Sequence, residues 1–124
     1  MLFVDQVGSV ARADGADPED VRDRNRLYYD EMRGRLERYG GVVQKYIGDA
    51  VMAVFGAPLA SSNDAENAVR AALSLLLGID ELNARHPDLD LEVRVGVCTG
   101  PAMVEIDAPV DRALATGDVV NTAA

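Results

Sequence analysis

The chain predicts an α+β fold: a ferredoxin-like sheet, antiparallel or mixed, with helices packed on one face. Three observations carry this. Apolar β-rich runs and helix-length amphipathic stretches follow the order strand, helix, strand, strand, helix, strand, strand. Two of the runs flank a two-residue Gly48-Asp49 loop, a strong hairpin signal. The 124 residues, 48% hydrophobic, suffice for one domain with a real core, read here as a single unit over 1–124.

Leu2 to Val7 is an apolar run that predicts a buried strand, and Arg12 to Asp17 a polar loop. Asp17-Pro18 opens a helix: Asp17 is the N-cap, Pro18 takes the first position, and Glu19 and Asp20 complement the positive end. Val21, Tyr28, Met32, Leu36 and Tyr39 recur at helical spacing until Gly40-Gly41 stops them, with Gly34 a weak point midway. Strands Val42–Ile47 and Ala50–Phe55 follow. After Pro58, Asn63 with Glu66 three residues on is a capping-box pattern for a second helix. Its expected apolar stripe is Ala65, Ala68, Val69, Ala72, Leu73 and Leu76, and His86-Pro87 marks its end. Leu91–Val97 is a strand expected to pair with Ala102–Ile106 across Thr99-Gly100-Pro101. Asp107 to Ala115 reads as irregular, and Val119–Ala124 as the opening turns of a further helix.

A net charge of −9 argues against nucleic-acid and anionic-membrane partners, which need basic patches. It is compatible with an anionic small substrate, because bound cations neutralise such a ligand locally. No apolar run reaches membrane-spanning length and no basic stretch precedes the first apolar segment, so the cytoplasm is the expected compartment. Cys98 is the only cysteine, so there is no internal disulfide, and its apolar strand makes it an inert thiol. A single histidine, His86, argues against a zinc site or a histidine-based triad.

The chemistry concentrates in Lys45-Tyr46-Ile47-Gly48-Asp49-Ala50-Val51-Met52-Ala53-Val54-Phe55-Gly56. Gly48 tolerates the positive φ of a tight loop, which presents Asp49 at the tip. A second acid, Asp5, ends Leu2-Phe3-Val4-Asp5. If the hairpin and the first strand are neighbours, two carboxylates meet at one edge, as a pair of Mg²⁺ ions on a nucleoside triphosphate requires. The plainer alternatives are that Asp49 only shapes a turn, Asp5 only caps a strand, and Lys45 is a solvated strand lysine.

Phe3-Val4-Asp5-Gln6-Val7-Gly8-Ser9, Lys45 through Gly56, Arg94-Val95-Gly96-Val97-Cys98-Thr99-Gly100 and Thr116-Gly117-Asp118-Val119-Val120-Asn121-Thr122-Ala123-Ala124 occur in that order over nearly the whole chain. Together they resemble the class III nucleotidyl cyclases, the catalytic domains of adenylyl and guanylyl cyclases. The resemblance implies conversion of ATP or GTP to a 3′,5′-cyclic nucleotide and pyrophosphate, with two Mg²⁺ or Mn²⁺ ions, in intracellular signal transduction. It implies Asp5 and Asp49 as metal ligands, with a backbone carbonyl near Gln6 adding a further one. Lys45 is then expected at the purine edge, and Asn121 at the ribose, acting across a homodimer interface. Further C-terminal domains are expected on the same ground.

The sequence also departs from the family pattern. Leu114 stands where a polar base-recognition residue is usual, and it neither donates nor accepts a hydrogen bond. Val10 replaces a common Thr or Ser. The phosphate-binding arginine that follows the Ala-Ala pair, the last helix and the terminal hairpin are expected to be missing, because the sequence stops at Ala124. These departures keep open a catalytically silent homology domain that binds nucleotide or dimerises. A diguanylate cyclase is disfavoured, since Ala50-Val51 follows Asp49 where that family has Glu-Phe.

Overall fold

Burial along the first strand sets the two sides of the sheet. The computed structural model describes residues 1–8, 17–56 and 60–100, together with the backbone of 103–104 and 115–116. Strand β1 (Leu2–Gln6) alternates: Leu2, Val4 and Gln6 are buried, while Phe3 and Asp5 lie on the opposite, more open face. With β2 (Val42–Ile47), β3 (Ala50–Val54) and β4 (Val93–Val97) it forms an antiparallel sheet in the order β2-β3-β1-β4. Helices α1 (Pro18–Arg38) and α2 (Asp64–Arg85) share one core with that sheet, joining Tyr28, Met32 and Leu36 to Leu2, Val4 and Val51 and to Leu75, Ile79 and Leu82. This is the ferredoxin-like order expected, and every pairing in it is antiparallel.

Helix α1 forms as its sequence predicts. The Asp17 carboxylate accepts the Glu19 N–H at 2.9 Å, Pro18 occupies the first turn, and Gly40 takes a φ of +84° just past the end. Tyr28, Met32 and Leu36 are fully buried. Gly34 does not break the helix.

Three expectations need correcting. The apolar stripe of α2 is Ala68, Ala71, Leu75, Ile79 and Leu82. Val69, Leu73 and Leu76, expected inside, are 52%, 60% and 45% exposed. Residues 71–79 are apolar almost all round, so periodicity alone does not pick the face. The choice falls on the face where Ser74 and Gly78 admit Arg35 of α1. The Arg35 guanidinium bonds Glu31 at 2.7 Å, the Ser74 carbonyl and hydroxyl at 2.9 Å each, and Glu81 at 2.6 Å.

The capping box is also displaced. The Asn63 side chain makes no cap bond; instead the Asp64 carboxylate accepts the Ser61 N–H at 2.5 Å, and Glu66 pairs with Arg70. Finally, β5 (Met103–Val104) pairs with β6 (Ala115–Thr116), not with the preceding strand, and Ala115 belongs to that strand rather than to an irregular stretch. Two residues of a partner strand satisfy these short runs locally. The Arg12–Ala16 part of the first loop, Pro58, 107–114 and the helix expected at 119–124 lie outside the described residues.

The remaining boundaries agree within a residue or two. β4 starts at Val93 because Asn83 captures the backbone of Leu91, donating to its carbonyl and accepting from its N–H, both at 2.8 Å.

Candidate functional site

The hairpin β2–β3 closes through Gly48-Asp49, with Ile47 opposite Ala50. Gly48 has φ of +59°, and Asp49 is not among the positive-φ residues. That combination is the type II′ pattern, which matches the twist of the flanking strands. The hairpin's inner strand β3 then pairs with β1: Leu2 faces Ala53, Phe3 faces Met52 and Val4 faces Val51. The next positions are Asp5 and Ala50, so Asp49 sits one residue beyond the strand position beside Asp5. The two carboxylates therefore come to the same end of adjacent strands.

The charge of these acids is felt by tyrosines of α1. The buried Tyr28 phenol is pushed well above the usual phenol range, first by burial, then by Asp49, Tyr29 and Asp5. Tyr29 is raised as well, by burial, Asp49 and Tyr46. The Tyr28 hydroxyl points to the Val4 carbonyl at 3.5 Å, and the Tyr29 hydroxyl donates to the Gly48 carbonyl. Each of these carbonyls immediately precedes one of the two acids.

A bulge in β2 decides where Lys45 goes. Val43 opposes Ala53 but Lys45 opposes Met52, so two residues of β2 span one step of β3. Without the extra residue Gln44, strict alternation would carry Lys45 to the helix side with Val43. With it, Lys45 shares the open face with Phe3 and Asp5. Gln44 itself is buried, with its Oε1 unpartnered among the described residues.

Arg94 completes this face. It stands opposite Asp5 in the β1–β4 register and donates from Nε and Nη2 to the two carboxylate oxygens at 3.3 Å each. Phe3, Asp5, Ile47, Ala50, Arg94 and Gly96 line an open hollow of about 470 Å³, a size suited to a small ligand.

The six sequence candidates fare differently. Asp5 and Asp49 come to the same end of adjacent strands, and Lys45 shares the open face with Asp5. The Gln6 side chain turns to the helix side, where Nε2 donates to Asn25 Oδ1 at 3.4 Å, leaving only its backbone for the role expected. Leu114 and Asn121 lie outside the described residues. Sequence reasoning placed Arg94 in a core strand and gave it no role. Its alternation with Val93 and Val95 was the available signal, since an odd-out arginine in an apolar strand faces away from the core.

Two hard carboxylates with solvent access suit Mg²⁺ or Mn²⁺, which takes one or two protein carboxylates and fills its shell with water and substrate phosphate. Among the described residues no group of three or more His, Cys, Asp or Glu gathers into a protein cage. The donors present fit a hard divalent cation.

Comparison with known proteins gives the family and the fold. The family model for the adenylate and guanylate cyclase catalytic domain matches residues 1–124. The chain is 29% identical over 127 residues to adenylate cyclase 1 of Rhizobium meliloti, covering 98% of this chain and 19% of that protein. Among solved structures, the guanylyl cyclase Cya2 superposes with a TM-score of 0.88 at 28% identity, covering 98% of this chain and 64% of that one. The adenylyl cyclase CyaB from P. aeruginosa gives 0.87 at 28% identity, covering 98% and 66%. The chain thus spans under a fifth of that Rhizobium relative and about two thirds of these solved chains.

Proposed function

Because the chain belongs to the adenylate and guanylate cyclase catalytic domain family, we propose that its open sheet face serves cyclisation of ATP or GTP to a 3′,5′-cyclic nucleotide in signal transduction. The observation that supports this most is the pairing of β1 with β3, which puts Asp5 and the Gly48-Asp49 loop at neighbouring strand positions of the sheet whose open face also carries Lys45 and Arg94.

In the reaction the ribose 3′-oxygen forms a bond to the α-phosphorus, the bond from that phosphorus to the oxygen bridging it to the β-phosphorus breaks, and the 3′-hydroxyl proton passes to water as pyrophosphate leaves. Such a displacement asks the protein mainly for positioning and charge stabilisation. Asp5 and Asp49, with a backbone carbonyl near Gln6, would hold the divalent cations. When bound, two Mg²⁺ or Mn²⁺ ions would supply activation of the attacking oxygen and neutralisation of the phosphates. Lys45 donates to the purine edge. Arg94, released from Asp5, offers a forked pair of donors that matches a phosphate. Asn121 orients the ribose from the second copy of a homodimer, so each site draws on two chains.

Base choice rests on Leu114 and its surroundings, and the two solved relatives cited, one a guanylyl and one an adenylyl cyclase, are equally similar in sequence. Leu114 also favours a second reading, a domain that binds nucleotide without turnover. Calorimetry and product assay with each Mg²⁺–nucleotide separate the two, since the second reading gives binding and no cyclic product. For the proposed activity, Asp5→Asn with Asp49→Asn, made in the full-length protein, abolishes cyclic nucleotide formation with either metal. Retained turnover in that double variant overturns the assignment.

A further inference from the structure

We propose that Tyr29 is a positioning residue for Asp49, acting through the turn that carries it; this rests on the reading of Asp49 as a metal ligand. The Tyr29 hydroxyl donates to the Gly48 carbonyl. That carbonyl belongs to the central peptide of the two-residue loop, the plane that links Gly48 to Asp49. Type I′ and type II′ turns share a positive φ at the first loop residue and differ by a flip of this one peptide. Gly48 at +59° is compatible with both, and only the sign of φ at Asp49 separates them. Asp is among the residues that tolerate positive φ, so the flipped turn is accessible to this sequence. The flip turns the Gly48 carbonyl away from Tyr29 and reverses the sign of φ at Asp49, which re-aims the Asp49 side chain.

Tyr29 is built to prevent that. Its ring is held edge-on to Tyr46 of β2, with centroids 5.0 Å apart and planes at 61°, and lies 5.4 Å from Tyr28. The phenol is therefore a fixed strut between α1 and the hairpin, and its hydroxyl pins the central peptide in one orientation. Gly48 is exposed and a Cβ built on it would meet nothing within 4 Å, so packing on the glycine does not hold the turn.

The test is Mn²⁺ titration, followed by electron paramagnetic resonance at 25 °C, of the full-length protein as wild type, Tyr29→Phe, Tyr46→Phe and Asp49→Asn. Tyr29→Phe keeps the ring and removes only the hydroxyl, and is expected to weaken Mn²⁺ binding by about fivefold, the worth of one hydrogen bond. Tyr46→Phe, which removes a hydroxyl from the same cluster, should leave Mn²⁺ affinity unchanged. Asp49→Asn should abolish the binding. If wild type binds Mn²⁺ and Asp49→Asn does not, yet Tyr29→Phe matches wild type, the positioning role is overturned while the metal reading stands. If wild type does not bind, or Asp49→Asn binds equally well, the metal reading itself fails and takes this proposal with it. An equal loss in Tyr46→Phe also overturns it, because general loosening of the cluster then explains the effect.

Discussion

Arg94 reaches Asp5 with two donors, yet it is 73% exposed and Asp5 is 39% exposed. A pair so wet contributes little to folding, since solvent screens it and two side chains lose freedom to make it. Its meaning is therefore at the site. Arg94 neutralises Asp5 in this structure; on the proposed function, a cation on Asp5 would set the guanidinium free beside the hollow. This separates the two ligands with one substitution. Arg94→Gln should leave stability within about 0.5 kcal/mol and leave Mn²⁺ binding undiminished. It should weaken Mg²⁺–nucleotide binding by roughly 10- to 100-fold, the range of a charge-assisted hydrogen bond. Calorimetry on both ligands checks it, and an unchanged nucleotide affinity removes Arg94 from the site.

At the scale of elements, two glycines within helices show how context decides sign. Gly34 of α1 is exposed and a Cβ there meets nothing within 4 Å. Gly34→Ala should stabilise by about 0.5–1 kcal/mol through helix propensity alone. Gly78 of α2 is the opposite case: a Cβ would run into Nε of Arg35 and lie 2.7 Å from its Cδ. Gly78→Ala must push Arg35 off Glu31 and Ser74, at a cost of about 1–3 kcal/mol that outweighs the propensity gain. Urea unfolding of both variants measures it, and two changes of the same sign would contradict the account. The same contact explains what was legible. The hairpin, the Asp17-Pro18 start of α1 and its buried face were readable because glycine, proline and caps act locally. The face of α2 was not, because Leu73, Leu75, Leu76 and Leu77 satisfy two stripes and only the approach of Arg35, from 39 residues away along the chain to Ser74, chooses between them. The Gln44 bulge was equally hidden, since one extra residue in a strand leaves no mark on composition.

Across the whole molecule, a net charge of −9 meets the proposed substrate class, which is itself strongly anionic. The meeting of Asp5 and Asp49 was readable only as a condition, that β1 and the hairpin be neighbours, because strand order is a property of the full chain. The observed order makes β1 and the hairpin neighbours, and it sharpens the electrostatic problem by bringing Asp5 and the Asp49 loop to one end of the sheet. Lys45 and Arg94 are the basic residues this face supplies among those described, and Arg94 is already engaged by Asp5. A bare triphosphate therefore meets repulsion from the acids without enough positive charge to offset it, while a triphosphate carrying divalent cations turns the same acids into ligands. Binding should then be strictly metal-dependent. In the thermal unfolding of the full-length protein, ATP or GTP with Mg²⁺ at 100 times its Kd stabilises by about 2.7 kcal/mol, a rise of roughly 8–15 °C in this domain's transition. The nucleotide with EDTA should produce almost none of that rise, and Asp5→Asn or Asp49→Asn should erase it with Mg²⁺ present. A shift of equal size in EDTA would mean that basic groups alone hold the phosphates, and the acidic pair would then have no part in binding.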